Sequence, residues 1–205
     1  MLLKTIKKNN SKRGFTLVEL MVSISIFTVI MTISMGSILG VFDVNKKSQS
    51  LRAVMDNLNF TLEVMTRTIR FGTNYHCNAD VGSPSATRDC SSSDTVTLNG
   101  STSQFVSSSF AVTNSEGVVV IYRLTDGRIS RTIGSATYFL TSPDVTITNL
   151  GFRVLGTDKF SVNEDLSQPQ VIITIGGYAG LSTKPSSQSA FTLQTTVSQR
   201  LFDSL

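Results

Sequence analysis

Apolar and polar positions follow three different patterns along this chain, and each pattern predicts a different kind of structure. The first pattern is an unbroken apolar run from Leu20 to Phe42, 23 residues without a charged side chain. A helix that rises ~1.5 Å per residue makes this run about 35 Å long, enough to cross a hydrocarbon core of about 30 Å. Residues 15–42 are therefore predicted to form a membrane-spanning helix.

The second pattern is amphipathic and follows the apolar run along the chain. Apolar side chains recur at spacings of three and four residues, which is typical of a helix with one buried face. They are Leu51, Met55, Leu58, Leu62, Met65 and Ile69. No proline occurs from Phe15 to Phe71, so segments 15–42 and 43–71 can form one helix of up to about 57 residues, roughly 85 Å long. Gly36 and Gly40 permit either bending or close helix packing in lipid.

The third pattern is β. From Thr95 onward, short runs rich in Val, Ile, Thr, Phe and Tyr are separated by turn residues, which predicts strands. The runs are Val96 and Leu98, then 105–112, 118–124, 129–133, 138–140, 145–155, 171–175 and 191–197. Asp126-Gly127 predicts a tight hairpin, and the Asn-, Asp-, Ser- and Gly-rich region 72–100 predicts a loop. The predicted fold is α+β, a long N-terminal helix packed on an antiparallel β-sheet head, residues 72–205.

The predicted loop contains the only two cysteines, Cys77 and Cys90, and the only histidine, His76. Both cysteines lie in the part predicted to be outside the reducing cytoplasm, where a disulfide closing about 14 residues is worth about 3 kcal/mol. A bridge between them is therefore predicted in preference to free thiols. One histidine and two cysteines supply too few ligands for a zinc site. His76 is thus expected to be a solvated loop side chain, and no metal is expected.

Five basic residues and no acidic one precede Gly14. They are Lys4, Lys7, Lys8, Lys12 and Arg13. This bias predicts that residues 1–14 stay in the cytoplasm and that the head lies outside it. Glu19 stands alone at the start of the apolar run, although a carboxylate costs up to about 3 kcal/mol at the bilayer centre and less near the interface. Either it has a partner, or it only complements the helix macrodipole, by about 0.3–1 kcal/mol.

The order Lys12-Arg13-Gly14-Phe15-Thr16-Leu17-Val18-Glu19 before an apolar run resembles the class III signal of type IV pilins and type II secretion pseudopilins. The resemblance implies that a prepilin peptidase removes leader 1–14 by cutting after Gly14, and methylates the new amine of Phe15. It also implies that Glu19 pairs with the Phe15 amine of a neighbouring subunit during assembly. The late β segments look like those of larger minor pilins and J-type pseudopilins, and the chain is long for a major pilin.

Two other interpretations of the N-terminus remain open. Ser34-Met35-Gly36 offers the small-x-small pattern of a conventional signal peptidase site, and the apolar run could be a plain signal anchor. Neither interpretation gives a reason for Gly14 followed by Phe15.

Removing the leader changes the charge balance. The mature chain keeps 13 basic and 14 acidic residues, a net charge of about −1, so nucleic-acid binding stays possible but is not supported by the mature charge. The arginines at 123, 128, 131 and 153 are expected to form a solvated face. Without a Gly-rich phosphate loop, a metal-ligand cluster or a second histidine, the sequence predicts neither an enzyme nor a cofactor.

The sequence therefore predicts a minor pilin or pseudopilin. Such a subunit is inserted once in the bacterial inner membrane and then assembled into, or at the tip of, a type IV pilus or secretion pseudopilus. The implied partners are prepilin peptidase, other pilins or pseudopilins, the inner-membrane assembly platform and membrane lipid. The alternative is a binding subunit, either a pilus-tip adhesin or a DNA-uptake subunit of a competence pilus, that uses loop 77–90 or loop 181–189.

Overall fold

One helix and ten strands make up the computed structural model, which describes residues 14–98, 100–158, 167–179 and 188–200. The helix α1 is Leu17–Phe71. The strands are β1 Thr73–Cys77, β2 Thr95–Leu98, β3 Ser101–Gln104, β4 Ser109–Thr113, β5 Val119–Thr125, β6 Arg128–Ile133, β7 Ala136–Phe139, β8 Val145–Leu155, β9 Gln170–Ala179 and β10 Ser189–Ser198. A long N-terminal helix followed by antiparallel sheets confirms the predicted α+β class.

The chain divides into two compact units, residues 1–45 and residues 46–205. The described part of the first unit is helical from Leu17 onward. The second unit contains the remainder of α1 and all the strands described above, and it holds the hydrophobic core.

Three antiparallel sheets form the second unit. The largest has the strand order β1-β4-β5-β6-β7, a second has the order β10-β9-β8, and β2 and β3 form a hairpin of their own. The two larger sheets meet where Ser107 and Phe152 exchange two backbone hydrogen bonds of 2.8 Å each. The rings of Phe110 and Phe152 stack there with centroids 5.4 Å apart, and a second link is the hydrogen bond from the Ile147 N–H of β8 to the Gly127 carbonyl between β5 and β6, at 2.8 Å.

The buried stripe of α1 is close to the predicted one but is rotated. Leu58, Met65 and Ile69 are fully buried as predicted, whereas Leu51, Met55 and Leu62 are only partly buried. The remaining buried positions are Val54 and Thr61, which the apolar spacing did not identify. Thr61 is polar, but its hydroxyl donates to the Leu140 carbonyl at 3.1 Å and to the Asn57 carbonyl at 2.9 Å. A hydrogen-bonded threonine can therefore occupy a core position.

The residue that follows helix α1 is Gly72, and close packing leaves no room for a side chain there. A Cβ on Gly72 would lie 2.4 Å from the Val112 side chain and 2.8 Å from the Thr113 carbonyl oxygen. The Tyr75 hydroxyl donates to the carbonyl of Ile69 at 2.6 Å and thereby satisfies one of the unpaired carbonyls at the helix end. The chain can turn directly from the helix into β1.

The predicted hairpin at Asp126-Gly127 is confirmed. The two residues connect β5 to β6, and Thr125 pairs with Arg128 across the turn. Both turn residues have positive φ, 50° at Asp126 and 69° at Gly127. Positive φ at both central positions is the geometry of the type I′ turn, which matches the twist of the flanking strands.

The prediction of a loop over residues 72–100 is wrong at its start. Thr73–Cys77 forms β1, an edge strand of the five-stranded sheet that pairs with β4. The strand was not recognised because polar and turn-forming residues surround it, yet Tyr75, His76 and Cys77 are all buried. Packing against α1 and β4 overrides the local composition here. The segment predicted as one strand, 105–112, contributes only its last part to β4.

Candidate functional site: the helix start and the disulfide loop

The first turn of α1 is held by a side-chain cap. Thr16 precedes the helix, and its hydroxyl oxygen accepts a hydrogen bond from the backbone N–H of Glu19 at 3.3 Å. The same hydroxyl donates to the Glu19 carboxylate at 3.5 Å. Thr16-Leu17-Val18-Glu19 has the T-x-x-E spacing of a capping box, a signal that the sequence analysis missed. Glu19 therefore has a local structural role at the helix start, whatever else it binds.

Gly14 and Phe15 lie just before this cap, and the fold places no demand on either of them. A Cβ at Gly14 would meet no atom within 4 Å. Phe15 is 80% exposed. Nothing in the described chain therefore explains a glycine followed by an aromatic residue at this point, so the reason for this pair lies outside the fold.

The first half of α1 exposes an apolar surface. From Phe15 to Val44 every large apolar side chain is at least half exposed. Four hydroxyls in this region donate to the carbonyl one turn earlier, at 2.7–2.8 Å; they belong to Ser23, Ser25, Thr28 and Thr32. Within the described residues, α1 is the one helix long and apolar enough to cross a membrane. An apolar surface with four of its hydroxyls bonded within the helix is suited to lipid.

The second candidate region is the segment between Cys77 and Cys90. The structure has the expected disulfide between these residues, with Cα atoms 5.1 Å apart, and both cysteines are buried. Cys90 also contacts β8: its backbone N–H donates to the Val154 carbonyl, and its sulfur accepts from the Val154 N–H at 3.2 Å. The disulfide loop, residues 78–89, is therefore fixed at its base to the three-stranded sheet.

The prediction that His76 is solvated is wrong. Its side chain lies inside the disulfide loop and the residue is only 2% exposed. Nδ1 lies 2.8 Å from the carbonyl oxygen of Ala86, and Nε2 lies 2.7 Å from that of Val81. Both neighbours are acceptors, so the ring supports the loop from within by hydrogen bonding. Among the described residues, no cluster of three metal-binding side chains includes it.

Asp94 fixes the segment that follows the loop. Its carboxylate pairs with Arg88 at 2.8 Å and accepts hydrogen bonds from the backbone N–H of Ser91 at 2.8 Å and from the Asn78 amide at 3.1 Å. Burial by itself raises the pKa of this carboxyl, but these hydrogen bonds outweigh burial and hold the pKa below its ordinary value. Asp94 is thus ionised at neutral pH and acts as a structural anchor.

Two of the four strand arginines have defined partners, although the ion pair of Arg123 is exposed to solvent, as expected. Arg123 pairs with Asp80 of the disulfide loop at 2.7 Å. The guanidinium of Arg128 lies 4.1 Å from the centre of the Phe139 ring and donates to the Thr141 carbonyl. Arg153 is exposed, as expected. The predicted ligand loop 181–189 and the leader lie almost wholly outside the described residues.

A comparison with known protein families matches the N-terminal region described above. A family model described as the prokaryotic N-terminal methylation motif matches residues 9–35, which include Gly14, Phe15 and Glu19. No curated protein and no solved structure matches the chain significantly. The match covers only the start of the chain, so the description of the head rests on its structure alone. Residues 9–35 carry the prepilin-type class III signal of type IV pilins and pseudopilins, on a chain with a pilin-like α+β architecture.

Proposed function

We propose that this chain is a minor pilin or pseudopilin. It is a structural subunit of the inner membrane, with its head outside the cytoplasm. Prepilin peptidase processes it there. The processed subunit then assembles into, or at the tip of, a type IV pilus or a secretion pseudopilus. The observation that carries the proposal is the methylation motif at the start of an uncovered apolar helix. The open surroundings of Gly14 support cleavage at the Gly14–Phe15 bond, because the fold gives no other reason for a glycine there.

In this proposal, processing creates the assembly group. Hydrolysis of the bond after Gly14 leaves Phe15 with a free amine, which is then methylated and remains cationic. The Glu19 carboxylate lies one helical turn further on and is oriented by Thr16. In an apolar environment an unpaired carboxylate is costly, so a cation from a neighbouring subunit stabilises it. We propose that the Phe15 amine of the next subunit is that cation.

Three variants separate this role from helix capping. Glu19→Gln keeps an oxygen suited to the capping box but removes the charge. Thr16→Ala removes the cap but keeps the charge, and Glu19→Ala removes the charge and the side-chain contact to Thr16 but keeps the bond from the backbone N–H of residue 19 to the Thr16 hydroxyl. We expect Glu19→Gln and Glu19→Ala to be inserted and cleaved, yet to lose assembly about 10-fold or more, because removing one partner of a buried pair costs several kcal/mol. Thr16→Ala should assemble nearly as wild type.

The measurement is crosslinking of each variant to partner pilins in native membranes. Cleavage is checked by intact mass, so that a processing defect is not mistaken for an assembly defect. If Glu19→Gln assembles at the wild-type level, the carboxylate is only a helix cap and the assembly role proposed here is wrong.

A further inference from the structure

Arginines gather around one aromatic ring at the C-terminal end of α1. Arg67, Arg70 and Phe71 line a groove of about 360 Å³ on the surface of the helix. A neighbouring groove of about 380 Å³ shares Arg67 and Phe71 and adds Arg131 from β6. The guanidinium of Arg200 lies 5.3 Å from the centre of the Phe71 ring. These five residues are called the arginine patch below.

No arginine of the patch forms an ion pair within the described part of the chain. The two ion pairs seen among the described residues, Arg88–Asp94 and Arg123–Asp80, use other arginines. The Nε atom of Arg131 is buried and has no hydrogen-bond partner among the described residues. Four of the 13 basic residues of the mature chain thus line the grooves beside Phe71 or lie over its ring, although that chain has a net charge of about −1. The helix macrodipole favours Arg67 and Arg70 at its C-terminal end, but it does not account for Arg131 and Arg200.

We propose that the arginine patch docks an acidic segment of a partner subunit. Arginine and exposed aromatic residues are the side chains most enriched at protein interfaces. Phe71 is 42% exposed, and a guanidinium can bind a carboxylate through two parallel hydrogen bonds. The proposal deepens the proposed function by naming a contact surface on the head, and it rests on that function.

The lining of the grooves favours a protein segment over a nucleic acid strand. Glu63 lies in the first groove and would repel carboxylates as well as phosphates, so the distinction rests on the second groove and on the ring. Neutral hydrogen-bonding side chains, Asn114 and Ser115, border the second groove. Arg200 also lies over Phe71, so one face of the ring is not free to stack on a base. A mixed lining of this kind suits a peptide that carries carboxylates along with other polar groups.

The test uses the full mature chain in an uncharged detergent, with a fluorescent hexaglutamate peptide as the probe at low salt. We expect Arg131→Gln and Arg67→Gln each to weaken probe binding about 2- to 5-fold, the range of partly exposed ion pairs, and the double variant to weaken it further. The matched control is Arg153→Gln, which removes the same charge from an exposed position on β8 and should bind like wild type. Thermal unfolding confirms that each variant is folded.

Three results would overturn the proposal. If Arg153→Gln weakens binding as much as the patch variants, attraction depends on net charge and not on the patch. If a dT12 oligonucleotide binds more tightly than the peptide through the same arginines, the ligand is a nucleic acid. If Asp203→Asn raises probe affinity several-fold, the patch is occupied by the chain's own C-terminal segment.

A second measurement keeps this proposal separate from the proposed function. The Arg67→Gln/Arg131→Gln double variant should be cleaved normally but should crosslink less to partner subunits in membranes. If it crosslinks at the wild-type level while Glu19→Gln does not, the patch is not a subunit contact, and the assembly role of the chain is unaffected.

Discussion

Two carboxylates in this protein, Glu19 and Asp94, are oriented in part by groups close in the sequence. Glu19 is oriented by Thr16, three residues earlier, and Asp94 by Ser91, three residues earlier. The difference between them is burial: Glu19 is exposed in the single chain, whereas Asp94 is 3% exposed and pairs with Arg88. A buried carboxylate with a lowered pKa makes the stability of its surroundings depend on pH.

Asp94 should make the head sensitive to acid. Its pKa in the folded chain lies below the ordinary value of 3.8, so its contribution is fully present above the unfolded value and is lost as pH falls below about 4 through the folded value. At pH 7, Asp94→Asn should lower the free energy of unfolding by about 1–3 kcal/mol, because it leaves Arg88 without its charged partner.

The measurement is unfolding in denaturant between pH 7 and pH 3. The gap between wild type and Asp94→Asn should narrow towards pH 3, whereas the exposed control Glu116→Gln should follow wild type at every pH. A gap that stays constant or widens in acid would contradict this account of Asp94.

At the scale of elements, the disulfide loop is held by more than its disulfide. His76 supports it from inside, Asp80 pairs with Arg123 of β5, and Asp89 accepts from the backbone N–H groups of Gly156 and Thr157 at 3.1 and 3.0 Å. The loop therefore links the five-stranded sheet, which contains β1 and β5, to the residues just after β8. Such a loop is expected to keep much of its position when the covalent link alone is removed.

Replacing both cysteines, Cys77→Ser with Cys90→Ser, should lower the free energy of unfolding by about 2–4 kcal/mol, mainly through the entropy of the unfolded chain. The crosslink is also expected to resist reduction in the folded protein, since both cysteines are buried. Thiol labelling after mild reductant should be slow in the native chain and fast in denaturant. Rapid labelling without denaturant would show that the loop opens easily and that its other contacts are weak.

At the scale of the whole molecule, the chain needs an environment for its apolar helix. The large apolar side chains from Phe15 to Val44 remain uncovered in the single chain. Apolar surface of this extent is stable only in lipid or against other apolar helices. The leader, the signal and this apolar surface together suit a protein that is first inserted in a membrane and then assembled with other subunits.

The mature protein is expected to begin at Phe15 with a methylated amine, and intact mass of protein from native membranes tests this. Gly14→Leu should leave the uncleaved precursor, and its head should fold normally, because a side chain at this position meets no other atom. Gly36→Leu serves as the control and should be cleaved normally. A mature N-terminus near Ser37 would instead indicate conventional signal-peptide processing.

The sequence by itself determined the existence and approximate extent of the helix, the turn at Asp126-Gly127 and the signal around Gly14, because these depend on neighbouring residues. Hydrophobic spacing and the absence of proline are sufficient to predict a helix close to Leu17–Phe71. The capping box at Thr16 and Glu19 is equally local and could have been found from its spacing.

Only the tertiary structure decided which polar residues are buried and which distant arginines meet. Thr61 and His76 are buried because carbonyl groups from distant segments or from the opposite side of the loop satisfy them. Likewise β1 is a strand because β4 pairs with it. Arg131 comes to the end of α1 from β6 and Arg200 from the residues just after β10, and no spacing in the sequence predicts that they lie together. Tertiary packing fixes these features, because residues distant along the chain bury these groups or bring them together.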